Sequence, residues 1–345
     1  MEVSTMSPQP SSVRSAVMTR GELLDELDRF VETQLHLLLP IERCWQPSDV
    51  LPDLTGSDWQ DQLAAWRTAA AGLTDDVLVT LVANVITEEA LPSYHAWLCN
   101  LEHGLDRSGR SEGGFGRWIR GWVAEEQRHG DALSKYLYVT GRVHMRSFER
   151  TLQSLLSNGF DPQTDNNVFQ AFIYTSFQER ATFISHSGTG RLARACGDAN
   201  LARLCELIAG DESRHEKAYE RFVARLFELD PDECMIALET MLRRSIVMPS
   251  RAMTDGVDPD LFGLFSAITQ RNGIYTAQDY ARIMDYLVRL WKVGERSVTS
   301  AAAKRAQDFI CPLPARYLRL AERAEARLSR VPVQRPISWL FGRSV

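Results

Sequence analysis

The chain has 345 residues, 44% hydrophobic and 24% charged, an ordinary balance for a globular protein long enough to bury a sizeable core. Its formal net charge of −6 argues against a general nucleic-acid or membrane-surface binder, while leaving room for a local basic patch. No apolar run reaches the roughly 18 residues of a membrane span. The six cysteines are scattered with no Cys-x-x-Cys pair, which excludes zinc-ribbon and thioredoxin-like sites and predicts unpaired thiols in a reducing compartment.

Residues 1–20 contain five Ser and one acid and read as a disordered tail. They faintly resemble an organelle transit peptide, but they lack the apolar centre of a secretory signal. From 21 to 345 the chain reads as one domain, helix after helix. Apolar spacing predicts helices over 20–39, 76–104, 115–140, 145–157, 166–188, 198–227, 231–245, 258–270, 276–291, 299–308 and 315–329. Turn chemistry separates them at 108–114, 158–162 and 230–232. No alternating strand-like run occurs, so the fold class is all-α, a helical bundle with extra C-terminal helices. Pro92 lacks the amide that would bond the Glu88 carbonyl, which predicts a kink there.

Two Glu-x-x-His pairs, Glu126/His129 and Glu212/His215, carry the chemistry. Glu and His three apart share one helix face. With 23 Glu and 7 His in the chain, chance alone supplies roughly half of one such pair, so the count by itself is weak. The force comes from what precedes each pair. Glu88 follows the apolar run Val77–Ile86, 38 residues before Glu126, and Glu179 follows Phe172–Phe177, 33 residues before Glu212. Burying a carboxylate without a partner is costly, and a cation in the core removes that cost. A lone carboxylate on one helix, then Glu-x-x-His on the next, repeated twice, builds a pseudo-symmetric two-metal site in a bundle core. Four carboxylates and two imidazoles suit a pair of irons rather than tetrahedral zinc. Spacing to His129 selects Glu126 over Glu125, whereas periodicity does not separate Glu88 from Glu89.

The blocks Ile86–Pro92, Ala124–Asp131, Phe177–His186 and Asp211–Glu216, with Cys44-Trp45-Gln46-Pro47 and Ser338–Phe341, resemble the soluble stearoyl-acyl-carrier-protein desaturases of plastids and their bacterial relatives. The likeness spans nearly the whole chain after residue 20. It implies a ferritin-like four-helix bundle core with additional helices. It also implies two Fe ions per subunit on Glu88, Glu126, His129, Glu179, Glu212 and His215, and it chooses Glu88 over Glu89. It implies a catalytic role for Thr182 near the oxygen site, and Asp211 with Trp45 as an outer support to His129. The implied reaction is O2-dependent insertion of a cis double bond into a saturated acyl chain on acyl carrier protein, with electrons from ferredoxin, in a homodimer. A bacterial cytoplasm is the expected location, with the plastid stroma as the alternative.

At positions matching the tail end of the family's acyl channel stand Trp97, Asn100, Leu101 and Ala171, where slim or flexible residues are usual. A shorter or differently placed channel is expected, hence a shorter acyl chain or a shifted double bond. Acyl carrier protein is acidic, so docking on this acidic chain needs a local positive patch. Arg243, Arg244 and Arg251 are the candidates, with Arg117 and Arg120 behind them. The competing reading keeps the metals and changes the job, to another ferritin-like di-iron oxidase or oxygenase on a different substrate.

Overall fold

The computed structural model describes residues 18–103, 105–328 and 335–345. Most of the expected 1–20 tail lies outside them, and Arg20 already belongs to the first helix. Among the described residues there are thirteen α-helices. These are α1 (Arg20–Gln34), α2 (Trp59–Ala70), α3 (Asp75–Glu89), α4 (Leu91–Cys99), α5 (Gly114–Thr140), α6 (Met145–Asn158) and α7 (Val168–Ala195). They continue with α8 (Ala199–Leu229), α9 (Pro231–Arg244), α10 (Leu261–Asn272), α11 (Ala277–Leu290), α12 (Ala301–Ile310) and α13 (Leu313–Leu328). The one extended pairing among them is an isolated bridge between Pro336 and Ser344. The all-α expectation holds. No single helix among the described residues is long and apolar enough to cross a membrane.

The ends follow local chemistry. Thr19 and Glu22 form a capping box at the start of α1, and Thr74, Asn167 and Asp198 accept from backbone amides at the starts of α3, α7 and α8. The expected single helix over 76–104 is two helices: its path breaks at Ala90 (φ −80°, ψ 7°), with Pro92 in the first turn of α4. The predicted kink is thus a full break one residue beyond Glu89. Helix α2 went unpredicted because only Trp66 and Ala70 of its twelve residues are buried, too few to write a stripe in the sequence.

Helices α3, α5, α7 and α8 pack together as the central bundle, with α7 and α8 most extensively paired. Helix α1 covers α5 and α8, α10 covers α3, and the remaining C-terminal helices build outward over α7 and α9. Gly130 on α5 marks this close approach, since a β-carbon there would stand 3.3 Å from the Glu88 backbone and 3.2 Å from the Glu89 carboxyl, tighter than ordinary contact. The buried apolar side chains form two clusters. One is built on Trp118, Phe169, Phe172 and Phe222, and the other on Leu78, Leu81, Tyr136 and Leu204.

On the outer side of α8, Glu220 is buried, and one of its carboxylate oxygens has no hydrogen-bond partner. Burial, then the like charge of Glu216, pushes its carboxyl up from about 4.5 to about 7. A raised folded value means the cost of ionising Glu220 is absent below about pH 4.5 and fully present above about pH 7. Glu220→Gln is therefore expected to stabilise the chain by about 1 kcal/mol at pH 8, after allowance for solvent screening, and to have no effect near pH 4. Thermal melts of both proteins at the two pH values check this.

Candidate metal centre

The break after α3 and the pairing of the four long helices bring all six candidate ligands into one buried cluster. Glu88, Glu126, His129 and Glu212 form one group. Glu126, Glu179, Glu212 and His215 form a second, and within each group one ligand atom per residue lies within 4.8 Å of the others. Glu126 and Glu212 belong to both groups, so they sit where two cations would be bridged. The arrangement is close to two-fold. His129 presents Nδ1 to Glu126 Oε2 at 3.1 Å and Glu212 Oε1 at 3.4 Å, and His215 presents Nδ1 to Glu126 Oε1 at 2.7 Å. The last pair is close but lacks hydrogen-bond alignment. His215 Nδ1 and Glu126 Oε1 are both buried without a hydrogen-bond partner, as is Glu212 Oε1. Buried polar atoms are almost always satisfied, so lone pairs that converge and satisfy nothing mark a place for a cation.

An outer ring turns each ligand into position. His129 Nε2 faces Asp211 Oδ2 at 3.2 Å, and Trp45 Nε1 donates to that same oxygen at 2.9 Å. His215 Nε2 faces Glu125 Oε2 at 3.0 Å. Arg128 donates to Asp211 at 3.0 Å, and Arg214 donates to Glu125 at 2.6 Å and to Asp211 at 2.5 Å. The outer oxygens of the lone carboxylates are held too, Glu88 by His186 Nε2 at 2.8 Å and Glu179 by Trp122 Nε1, which donates at 3.1 Å.

The structure brings Asp211 and Trp45 together beside His129, Asp211 within reach of its Nε2 and the Trp45 ring stacked at 6.2 Å between centroids. Glu125, Arg128, Arg214, Trp122 and His186 were missed. A signal existed for three of them. Glu125-Glu126-x-Arg128-His129 and Asp211-Glu212-x-Arg214-His215 are one pentad, acid-Glu-x-Arg-His, repeated on α5 and α8. Each pentad's first acid supports the histidine of the other.

Without cations, burial alone would raise every carboxyl. Burial followed by the like charges of Glu126 and Glu212 holds Glu179 well above the usual carboxylate range, and Glu212 is raised in the same way. For Glu88 and Glu126 the neighbouring imidazoles outweigh burial and hold them low. His129 and His215 are raised by the surrounding carboxylates against burial, His215 to about 9. In the cation-free cluster the histidines are pushed toward their charged form and Glu179 and Glu212 toward their neutral form, a compensation that bound cations would replace. Asp211, held at about 2 by His129, Arg128 and Arg214 against burial, stays ionised, and so does Glu125. Two arginines balance those two acids. The donor set fits a pair of divalent cations.

Thr182 lies one turn past Glu179, its hydroxyl donating to the Glu179 carbonyl at 2.9 Å. It lines a narrow cavity of about 60 Å³ that reaches Glu88, Glu126, Glu179 and Glu212 and is also lined by Tyr94, Trp97, Phe160 and Tyr174. Of the four residues expected on an acyl channel, only Trp97 is on this wall. Asn100 is exposed, with its amide on the Ala96 carbonyl, and lines an open surface groove. Leu101 and Ala171 are fully buried in the core away from the cavity lining. A larger apolar groove of about 380 Å³ lies outside, between α7, α10, α11 and α13, and Gln178 lines both it and the inner cavity.

The expected docking arginines are mostly engaged. Arg243 pairs with Glu239 at 2.6 Å, and Arg244 with Asp165 at 2.7 Å. Arg117 pairs with Glu32 at 2.8 Å and Arg120 with Asp106 at 3.2 Å. Arg251 is exposed and has no ion pair among the described residues.

The all-α fold and a buried cluster of carboxylates and histidines that could hold metal ions define the class of protein. The family model described as fatty acid desaturase matches residues 19–341, and the chain belongs to that family of oxidoreductases. It is 47% identical over 325 residues to the chloroplastic stearoyl-[acyl-carrier-protein] 9-desaturase of Spinacia oleracea, covering 94% of this chain and 81% of that protein. It is 48% identical over 325 residues to the corresponding protein of Ricinus communis and to the chloroplastic acyl-[acyl-carrier-protein] desaturase of Cucumis sativus. In both comparisons, 94% of this chain and 82% of the relative are covered. The fold is shared with an X-ray structure of a Mycobacterium tuberculosis H37Rv protein described as an acyl-ACP desaturase. That match has TM-score 0.55 and 19% identity, covering 82% of this chain and 98% of the other.

Loading the cation-free chain with a divalent metal should bind two ions and release protons from the cluster, measured by calorimetry in buffers of differing ionisation enthalpy. Asp211→Asn and Glu125→Gln should each weaken metal affinity about 10- to 100-fold, because each leaves one imidazole unsupported.

Proposed function

We propose that this chain introduces a cis double bond into a saturated acyl chain delivered on acyl carrier protein, using O2, two irons and electrons from ferredoxin. The observation that carries the reading is the narrow apolar cavity lined by Glu88, Glu126, Glu179 and Glu212 of the buried acid–histidine cluster. Family membership and near-half identity to carrier-protein desaturases support it. We read residues 21–345 as one domain that works as a homodimer in a bacterial cytoplasm, or in a plastid stroma.

Glu88, Glu126, His129, Glu179, Glu212 and His215 would hold the irons, which when bound supply the oxidising power that unactivated methylenes require. The rest is positioning. The outer groove beside Gln178 admits the acyl chain, and the inner cavity orients two adjacent methylenes beside Glu126 and Glu212. Tyr94, Trp97, Phe160 and Tyr174 exclude water and stop the methyl end. Thr182 Oγ1 is placed at the cavity wall to hold or pass a proton beside Glu179. Because the bulky Trp97 stands on the cavity wall, an acyl chain shorter than eighteen carbons, or a shifted double bond, is the expected specificity.

Anaerobic reconstitution with ferrous iron, then O2 and reduced ferredoxin over a panel of acyl-carrier-protein thioesters, tests the reading. Two irons per chain and one new double bond in the acyl product are expected, and saturated product throughout would refute it. Arg251→Glu should raise the apparent KM for acyl carrier protein about 3- to 10-fold with kcat little changed, as loss of a rim charge does. An unchanged KM places docking elsewhere.

A further inference from the structure

The inner cavity, at about 60 Å³, holds only a few water molecules, far too little for a long acyl chain. The outer groove of about 380 Å³ is a separate space that shares one wall residue with it, Gln178. Segment 245–249, which follows α9 and leads into the helical turn Pro249–Ala252, lies along both. Ile246 and Met248 line the groove, and Pro249 lines the cavity. Between them, Val247 presents its carbonyl to α7. The Tyr174 hydroxyl donates to that oxygen at 2.9 Å and Gln178 Nε2 donates to it at 3.1 Å. Tyr174 stands on the cavity wall and Gln178 on both walls, so one backbone oxygen is held from the two spaces together.

Little else holds this segment. Ile246 N donates to the Tyr280 hydroxyl on α11 at 3.3 Å. Among the described residues, the hydrogen bonds of Ile246 and Val247 are these three, all to side chains. Ile246, Val247 and Met248 are each half-buried, whereas Pro249 and Ser250 are buried and anchor the far end. At the near end Ser245 has φ 63° and ψ 140°, a conformation that side chains rarely adopt and that neighbours must enforce. A short segment with exposed edges and few backbone bonds opens at low cost. Once Val247 leaves, the Gln178 side chain has lost its one hydrogen bond and is free to leave the wall between groove and cavity.

We propose that residues 245–248 are a lid between the outer groove and the inner cavity, latched on the Val247 carbonyl by Tyr174 and Gln178, which lifts to pass the acyl chain and closes over it. The proposal rests on the acyl-chain reading above. An acyl chain makes no hydrogen bond, so it opens the latch only by burying its own apolar surface beyond it. Closing returns both donors to the Val247 carbonyl and keeps water out of the cavity. Tyr174 and Gln178 are in this sense positioning residues, acting through the lid.

The test is stopped-flow tryptophan fluorescence on the full-length chain without reductant, so that no turnover occurs. Trp97 and Trp122 line the inner cavity, and their emission reports the arrival of the acyl chain. The probes are acyl carrier protein charged with a long saturated chain and the same carrier uncharged. The charged carrier should give a slow phase whose rate levels off with concentration, at the rate of lid opening. Tyr174→Phe and Gln178→Met each remove one donor at nearly constant shape. Each should raise that plateau about five-fold, the worth of one ordinary hydrogen bond. The uncharged carrier should show no slow phase, and it should dock equally fast on all three proteins. A plateau unchanged in both variants, or a rate that climbs with concentration without levelling, overturns the lid. An equal acceleration of uncharged-carrier docking assigns the two residues to general packing and overturns the latch. A wild-type chain that responds alike to charged and uncharged carrier overturns the acyl reading and the lid with it. That failure is distinct from the others, in which the charged carrier is still told apart.

Discussion

Six carboxylates, Glu88, Glu125, Glu126, Glu179, Asp211 and Glu212, are buried within one small volume between four helices, with two arginines against them. Uncompensated, such a cluster would force the bundle apart or hold protons on several of its members. The outer pair, Asp211 and Glu125, is neutralised by Arg128 and Arg214 and spends its charge orienting histidines. The inner four are left facing one another, and everything near them is arranged around that excess. Oxygen and nitrogen atoms with no hydrogen-bond partner converge on a common space, Gly130 lets α3 lie against α5, and α3 ends one residue after Glu88.

The same four helices divide their labour. Helices α5 and α8 each contribute the pentad acid-Glu-x-Arg-His, so each supplies a carboxylate common to both candidate ligand groups, an imidazole and the support for the other's imidazole. Helices α3 and α7 contribute single carboxylates, and they also supply the cavity wall through Thr87, Thr175, Gln178 and Thr182. Beyond the break at Ala90, α4 contributes Tyr94, Trp97 and Leu98 to the cavity wall, so the helix of a ligand and the helix lining the slot meet at one backbone interruption.

The ligand geometry was legible because it is local: three-residue spacing on a helix, and a carboxylate ending an apolar run, are properties of single segments. The fold class was legible for the same reason. Glu125 was not, because spacing to His129 picks its neighbour, and its partner His215 lies 90 residues away. Trp122 and His186 were hidden in the same way, since their partners are on other helices. Asn100, Leu101 and Ala171 were expected along a channel and stand off its wall. Which face of the 97–101 stretch meets the cavity is set by the turn at the end of α4, which periodicity does not encode. The arginines suffered likewise, since a run of basic residues in sequence does not reveal that Glu239 and Asp165 fold onto them.

The central claim is that the buried acid–histidine cluster is a two-iron site. Crystals grown without oxygen, loaded with ferrous iron and measured on either side of the iron absorption edge, test it most directly. The account predicts two anomalous peaks per chain, one among Glu88, Glu126, His129 and Glu212 and one among Glu126, Glu179, Glu212 and His215. A single peak, or iron bound only elsewhere on the chain, would contradict it.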